Sequence, residues 1–139
     1  MNSDPDCIFC KIVKGDIPSE KLLEDSASLA FMDIGPVAPG HALLIPRNHF
    51  STVDEMDPET AGQVLANLPR LVSAIKGATE CEGVNVLQNN GSVAGQLVGH
   101  VHFHIIPRNT RDRFEFNWPA DKYQEGQIGL LAGKIRGLL

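Results

Sequence analysis

The sequence predicts an α+β fold: an antiparallel sheet of about five strands with one long central helix and a C-terminal helix. Short β-prone runs punctuated by Gly, Pro and Asp turns supply the strands. One long stretch with apolar residues at helical spacing supplies the central helix. The length, 139 residues, suits one domain spanning 1–139, since domains of about 100–150 residues are common.

Residues 1–6 are polar and are expected to be loose. Leu22–Glu24 and Ser28–Ile34 read as two short strands around the turn Asp25-Ser26-Ala27. Gly35–Gly40 is a stiff turn, and His41–Pro46 is the next strand, ended by its proline. Asp57-Pro58-Glu59 opens a helix with a capping carboxylate, Pro at the first helical position and acid on the positive end of the dipole. Ala61, Val64, Leu65, Leu68, Leu71, Val72 and Ile75 continue at helical spacing, so the expectation is one helix over 57–79, bent at Pro69. Val84–Gln88 and Val98–Pro107 are strands joined by the loop 89–97. Leu131, Ile135 and Leu138 mark a helix in the tail 121–139, and residues 109–139 lie outside every motif.

Lys plus Arg is 12 and Asp plus Glu is 17, a net charge of −5, which disfavours a nucleic-acid partner but not a small phosphorylated ligand held in one pocket. No apolar run approaches the roughly 20 residues of a membrane helix, and the start of the chain lacks the pattern of a signal peptide. These features predict a cytoplasmic protein with no membrane partner. Three cysteines are too few for a disulfide scaffold.

Three of the five histidines fall at His100, His102 and His104. On a strand these share one face, about 6.5–7 Å apart, while Val101, Phe103 and Ile105 pack on the other. Such a row can be a polar sheet face, a catalytic zinc site, or a nucleophile on phosphorus with support on both sides. The preceding Asn89-Asn90-Gly91 and Gly95-Gln96 favour the third, because glycines let backbone N–H groups close on phosphate and amides donate to it.

At these residues the chain resembles the histidine triad family of nucleotide hydrolases and transferases. Residues 100–106 follow its His-φ-His-φ-His-φ-φ signature, with φ apolar. Ile8-Phe9, Phe31–Ile34, Pro39–His41, Ile45–His49 and Asn89–Arg108 extend the likeness over about 7–108, nearest to the small bacterial-type members with Cys-x-x-Cys near the start. The resemblance implies the family's fold and attack by His102 on the α-phosphorus of a purine nucleotide conjugate. The conjugate would be a nucleoside phosphoramidate or a dinucleoside polyphosphate, and the intermediate a covalent nucleotidyl-histidine. It implies that His104 contacts the phosphate or leaving atom and that His41 completes the cluster. It further implies that Asn89, Gly95 and Gln96 bind the α-phosphate and Asp33 the ribose hydroxyls. Ile8, Phe9, Ile17, Phe31 and Ile34 would line the base pocket, although plain core is the competing reading of these five, and a turn cap before Gly35 that of Asp33. Leu97 departs from the pattern, since many relatives carry Ser or Thr there.

Cys7 and Cys10 form the Cys-x-x-Cys pair. A thioredoxin-like role lacks its strand–helix setting. The resemblance implies structural zinc on Cys7, Cys10, His49 and His100, a closed Cys₂His₂ set; two buried thiols and a surface His49 is the alternative. Cys81 has no partner in the pattern and reads as packed. The resemblance also implies a homodimer formed through the 57–79 helix and the Val84–Gln88 strand. Trp118 reads first as a packed aromatic, though tails in this family can approach the partner's site. Two other functions stay open: a nucleotide-binding regulatory module with incidental activity, and a zinc-dependent hydrolase using the histidine row as ligands.

Overall fold

The computed structural model describes residues 2–115 and 117–139. A short helix α1 (Ile8–Lys14) precedes strands β1 (Lys21–Glu24), β2 (Ser28–Met32) and β3 (Ala42–Pro46). Helices α2 (Pro58–Leu65) and α3 (Leu68–Thr79) follow, then β4 (Gly83–Gln88), β5 (Phe103–Arg108) and helix α4 (Gln127–Arg136). The strands form one antiparallel sheet in the order β1-β2-β3-β5-β4.

Strand alternation divides the core into two layers. Leu29, Phe31, Leu43 and Ile45 face α1, where Phe9, Cys10, Ile12 and Val13 are buried. Ala30, Ala42, Leu44, Phe103 and Ile105 face the opposite way and pack on Val64, Leu71 and Ile75 of α2 and α3. Helix α1 covers β2 and β3 but stops short of β5 and β4. That same face of β5 is therefore left open for a cavity.

Several expectations are corrected. The central helix is two helices with a break at Ala66–Asn67. Pro69 sits in the first turn of α3, and a proline there has no N–H for the carbonyl four residues back. Asn67 at the break is nearly fully buried, and its amide is used completely. Nδ2 donates to Asp25 Oδ2 (2.8 Å) and Ser28 Oγ (2.9 Å), while Oδ1 accepts from Arg70 Nε (3.1 Å) and Nη2 (2.7 Å). The start expected to be loose is docked at Asn2: its carbonyl accepts from His49 N (2.9 Å) and its Nδ2 donates to the His49 carbonyl (2.8 Å). Helix α1 was not anticipated; it is capped by the Cys7 thiol, which accepts from Cys10 N, and ended by Gly15 at φ 86.

Strand β5 starts at Phe103, not Val98. His100 N donates to the Val98 carbonyl (2.9 Å), a tight turn that takes His100 off the strand. The C-terminal helix forms over Gln127–Arg136 with no buried residue, and Trp118, expected inside the packing, is 68% exposed. Cys81 is buried, as expected. Gly40, at φ +95 before β3, must be glycine: a Cβ there would sit 2.5 Å from Thr79 Cγ2. Among the described residues no helix is long and apolar enough to cross a membrane.

Candidate active site and metal centre

A cavity of about 390 Å³ lies on the open face of β5. Its floor carries His102 and His104, with His41 from the end of the turn before β3. Helix α1 contributes Ile8 and Phe9, and the β2–β3 turn contributes Asp33, Gly35 and Val37. Asn89, Gly95, Leu97 and Val98 come from the loop before β5, and Leu87, Ile106 and Phe114 close the other side. The volume lies within the roughly 300–1,000 Å³ usual for small-molecule sites.

The hydrogen bonds assign the histidine protons. His102 Nδ1 lies 2.7 Å from the His100 carbonyl, which can only accept, so Nδ1 carries the proton and Nε2 keeps a lone pair. Val37 N donates to His41 Nδ1 (3.0 Å), so the His41 proton is on Nε2. His41 Nε2 in turn donates to His104 Nδ1 (2.9 Å), which leaves the His104 proton on Nε2. The His102 and His104 rings meet at 4.9 Å between centroids. An acceptor imidazole and a donor imidazole therefore stand side by side in one cavity.

Burial holds His104 neutral, its pKa pushed down to about 4, with the neighbouring His102 and His41 adding to the shift. Burial also lowers His41, opposed by the Asp33 carboxylate, whose Oδ2 is 3.5 Å from His41 Nε2. Asp33 Oδ1 accepts from Gly35 N (2.8 Å), so this carboxylate caps the turn and also faces the cavity.

The remaining expected positions are placed less directly. Asn89 Nδ2 approaches the Gly95 carbonyl (3.5 Å), and Gly95 has φ +95. Gln96 is buried off the lining: Nε2 donates to Ser51 O (2.7 Å) and Val98 O (3.0 Å), and Oε1 accepts from Gly91 N (2.8 Å). It braces the loop. Phe31 is in the α1 core and Ile17 packs against that core, while Ile34 is 98% exposed; none of the three lines the cavity. Of the residues not anticipated, Ile106 follows from strand alternation with His102 and His104. Leu87 needed the β4–β5 register, and Phe114 needed the fold of the tail.

His100 is fully buried and sits outside the cavity lining. Its Nδ1 is 3.4 Å from Cys7 Sγ and 3.6 Å from Cys10 Sγ, and Cys10 Sγ is 3.4 Å from His49 Nδ1. All four donor atoms lie within 4.8 Å of one another. A tetrahedral ion with bonds of about 2.3 Å to sulfur and 2.0–2.1 Å to nitrogen sets sulfur and nitrogen roughly 3.5 Å apart, so the set fits one. The surroundings suit ligands too. His100 Nε2 donates to the Pro46 carbonyl (2.9 Å), which frees Nδ1. Asp4 N donates to Cys10 Sγ (3.4 Å) and Cys10 N to Cys7 Sγ (3.5 Å). Asp33, His41 and His104 also form a potential ligand group, but there the 2.9 Å His41–His104 contact already holds a proton between the nitrogens.

Comparison with known proteins gives one consistent result. The HIT domain family pattern matches residues 14–111. The adenosine 5'-monophosphoramidase hnt1 of Schizosaccharomyces pombe is 46% identical over 93% of this chain and 95% of its own. A crystal structure of a HIT family member from Bacillus subtilis superposes with a TM-score of 0.92 at 42% identity, covering 96% of this chain and 97% of that one. A zinc-bound histidine triad family protein from Mycobacterium smegmatis gives 0.74 at 34% identity, covering 96% and 95%. The open five-stranded sheet, the paired imidazoles over it and these likenesses agree: the chain belongs to the HIT domain family.

Proposed function

We propose that this protein hydrolyses nucleoside 5'-phosphoramidates at the α-phosphorus through a covalent intermediate on His102. The observation that carries the reading is the 2.7 Å bond from His102 Nδ1 to the His100 carbonyl, which aims an unprotonated Nε2 at the cavity. Nε2 attacks phosphorus and the P–N bond breaks as the leaving nitrogen takes a proton from solvent, so that it departs as the amine; the water of the second step returns that proton. Water then attacks the nucleotidyl-histidine and restores Nε2, so one hard displacement becomes two easier ones. His104 Nε2–H donates to the phosphoryl or leaving atom, and His41 fixes that tautomer. Asn89 and the Gly95 backbone receive the phosphate, with Gln96 bracing their loop, and Asp33 receives the ribose hydroxyls. Ile8 and Phe9 flank a purine. The name of the fission-yeast relative supports this substrate class.

Cys7, Cys10, His49 and His100 would hold structural zinc. Four protein ligands leave no open position, so its contribution is to fix the start of the chain against the segment that carries His102. The protein works as a cytoplasmic homodimer in this reading. β4 ends the sheet with an unpaired edge, and Val86 on it is 43% exposed. A sedimentation mass of one chain would refute the dimer.

Adenosine 5'-monophosphoramidate should yield adenosine monophosphate. His102→Ala should lower kcat by about 1,000-fold or more while nucleotide affinity changes little. Turnover by the variant within tenfold of the parent would overturn the covalent route.

A further inference from the structure

Beyond His104, the cavity face of β5 carries Ile106 and then Arg108, since alternate strand residues share a face. An arginine at that place is the natural cation for an anionic leaving group, but its guanidinium is committed elsewhere. Nε donates to Asp112 Oδ2 (2.7 Å), Nη2 to Asp112 Oδ1 (3.0 Å) and Nη1 to Asn85 Oδ1 (2.6 Å). Nη2 also donates to the Phe114 carbonyl, and the guanidinium carbon lies 4.8 Å from the centroid of the Phe114 ring. Asp112 Oδ2 accepts from Asn109 N (3.0 Å) as well. These contacts buckle residues 109–114 back against the sheet and put Phe114 on the cavity lining beside Leu87 and Ile106.

Leu97, 95% exposed, stands on the same lining. Among the described lining residues there is no Lys or Arg. A pyrophosphate, sulfate or nucleotide leaving here would be set against the hydrocarbon of Leu87, Leu97, Ile106 and Phe114 with no Lys or Arg on the lining, which is costly. An alkyl or aryl amine would bury its hydrocarbon against the same surfaces.

We propose that the buckled segment 109–114 is the selectivity element of this site. Phe114 is its wall, and Arg108 is a positioning residue that holds the wall so that the cavity takes an uncharged, hydrocarbon-bearing amine as leaving group. The inference rests on the phosphoramidate reading and names the leaving-group class within it.

The test compares the adenosine 5'-phosphoramidates of ammonia and 2-phenylethylamine with diadenosine tetraphosphate. In the parent protein, kcat/KM should rise about tenfold from ammonia to phenylethylamine, mainly through KM, and the tetraphosphate should fall below both. Phe114→Ala should cut the phenylethylamine-to-ammonia ratio about fivefold or more, with partial recovery in Phe114→Leu. Arg108→Met should lower the same ratio with Phe114 present, the outcome that separates positioning from general destabilisation. A flat ratio in the parent, or one indifferent to Phe114, overturns the proposal while the hydrolase reading stands. If no phosphoramidate is cleaved, the hydrolase reading falls, and the selectivity is read by calorimetry on His102→Ala. The phenylethylamide must then bind more tightly than adenosine monophosphate, and adding Phe114→Ala must erase the difference. Equal affinities overturn the proposal.

Discussion

His102 and His104 are separated by a single residue, yet the fold gives their ring nitrogens opposite roles. The His100 carbonyl accepts from His102 Nδ1–H and so keeps that proton on Nδ1, and the turn N–H of Val37, relayed through His41, forces the His104 proton onto Nε2. A pH dependence follows. His104 has a folded pKa of about 4 against an ordinary 6.5, and His41 is shifted in the same direction. The unfolded chain therefore binds more protons between these values, and stability rises with pH there. This contribution is complete above pH 6.5 and is lost as pH falls through 6.5 toward 4. Urea midpoints should climb across that window, and His104→Gln should flatten part of the climb. A midpoint independent of pH over 4–6.5 would contradict the buried neutral pair.

At the scale of elements, the break between α2 and α3 ties the helical layer to the β1–β2 turn. Asn67 satisfies Asp25 and Ser28 at once, and Ser28 is fully buried. Asn67→Ala would remove the donors to Asp25 Oδ2 and Ser28 Oγ, while Ser28 Oγ keeps its 3.0 Å bond to Asp25 Oδ1; losing this buried bridge costs about 1–3 kcal/mol. Denaturant titration should find a loss in that range, and a loss below about 0.5 kcal/mol would show that the break needs no pin. The apolar stripe of 61–75 announced the helices, because helical spacing survives a local break. It could not announce the break as a pinned joint, because Asp25 and Ser28, which tie Asn67 to the sheet, lie some 40 residues away in sequence.

At the scale of the whole molecule, the cluster of Cys7, Cys10, His49 and His100 joins three segments. Cys7 and Cys10 sit at α1, His49 after β3 and His100 ahead of β5. Phe9, between the two cysteines, makes edge contacts with both His100 (5.8 Å) and His102 (5.2 Å). Zinc on this set would therefore hold the support of His102 as well as the start of the chain. Elemental analysis should find about one zinc per chain in the parent and none in Cys10→Ser. Chelation should lower the thermal midpoint by about 10 °C or more, given the size of structural zinc binding energies. Full metal retention in Cys10→Ser would remove the site from this account.

The sequence by itself determined the fold class, the strand order of events along the chain, and the residue types of the site. Alternation placed His102 and His104 on one face, and Asp57-Pro58 opened α2 where expected, because these features depend only on neighbours a few residues apart. The resemblance also grouped His100 with the two cysteines, but only the tertiary structure supplies the means: a tight turn at Val98–His100 and a buried Pro46 carbonyl turn its ring inward. The tertiary structure also decided that Ile34 faces solvent, that Asn2 docks on His49, and that Phe114 reaches the cavity lining with Arg108 bonded to its carbonyl. Those outcomes rest on contacts between elements and on turn geometry, and short-range periodicity carries no record of either.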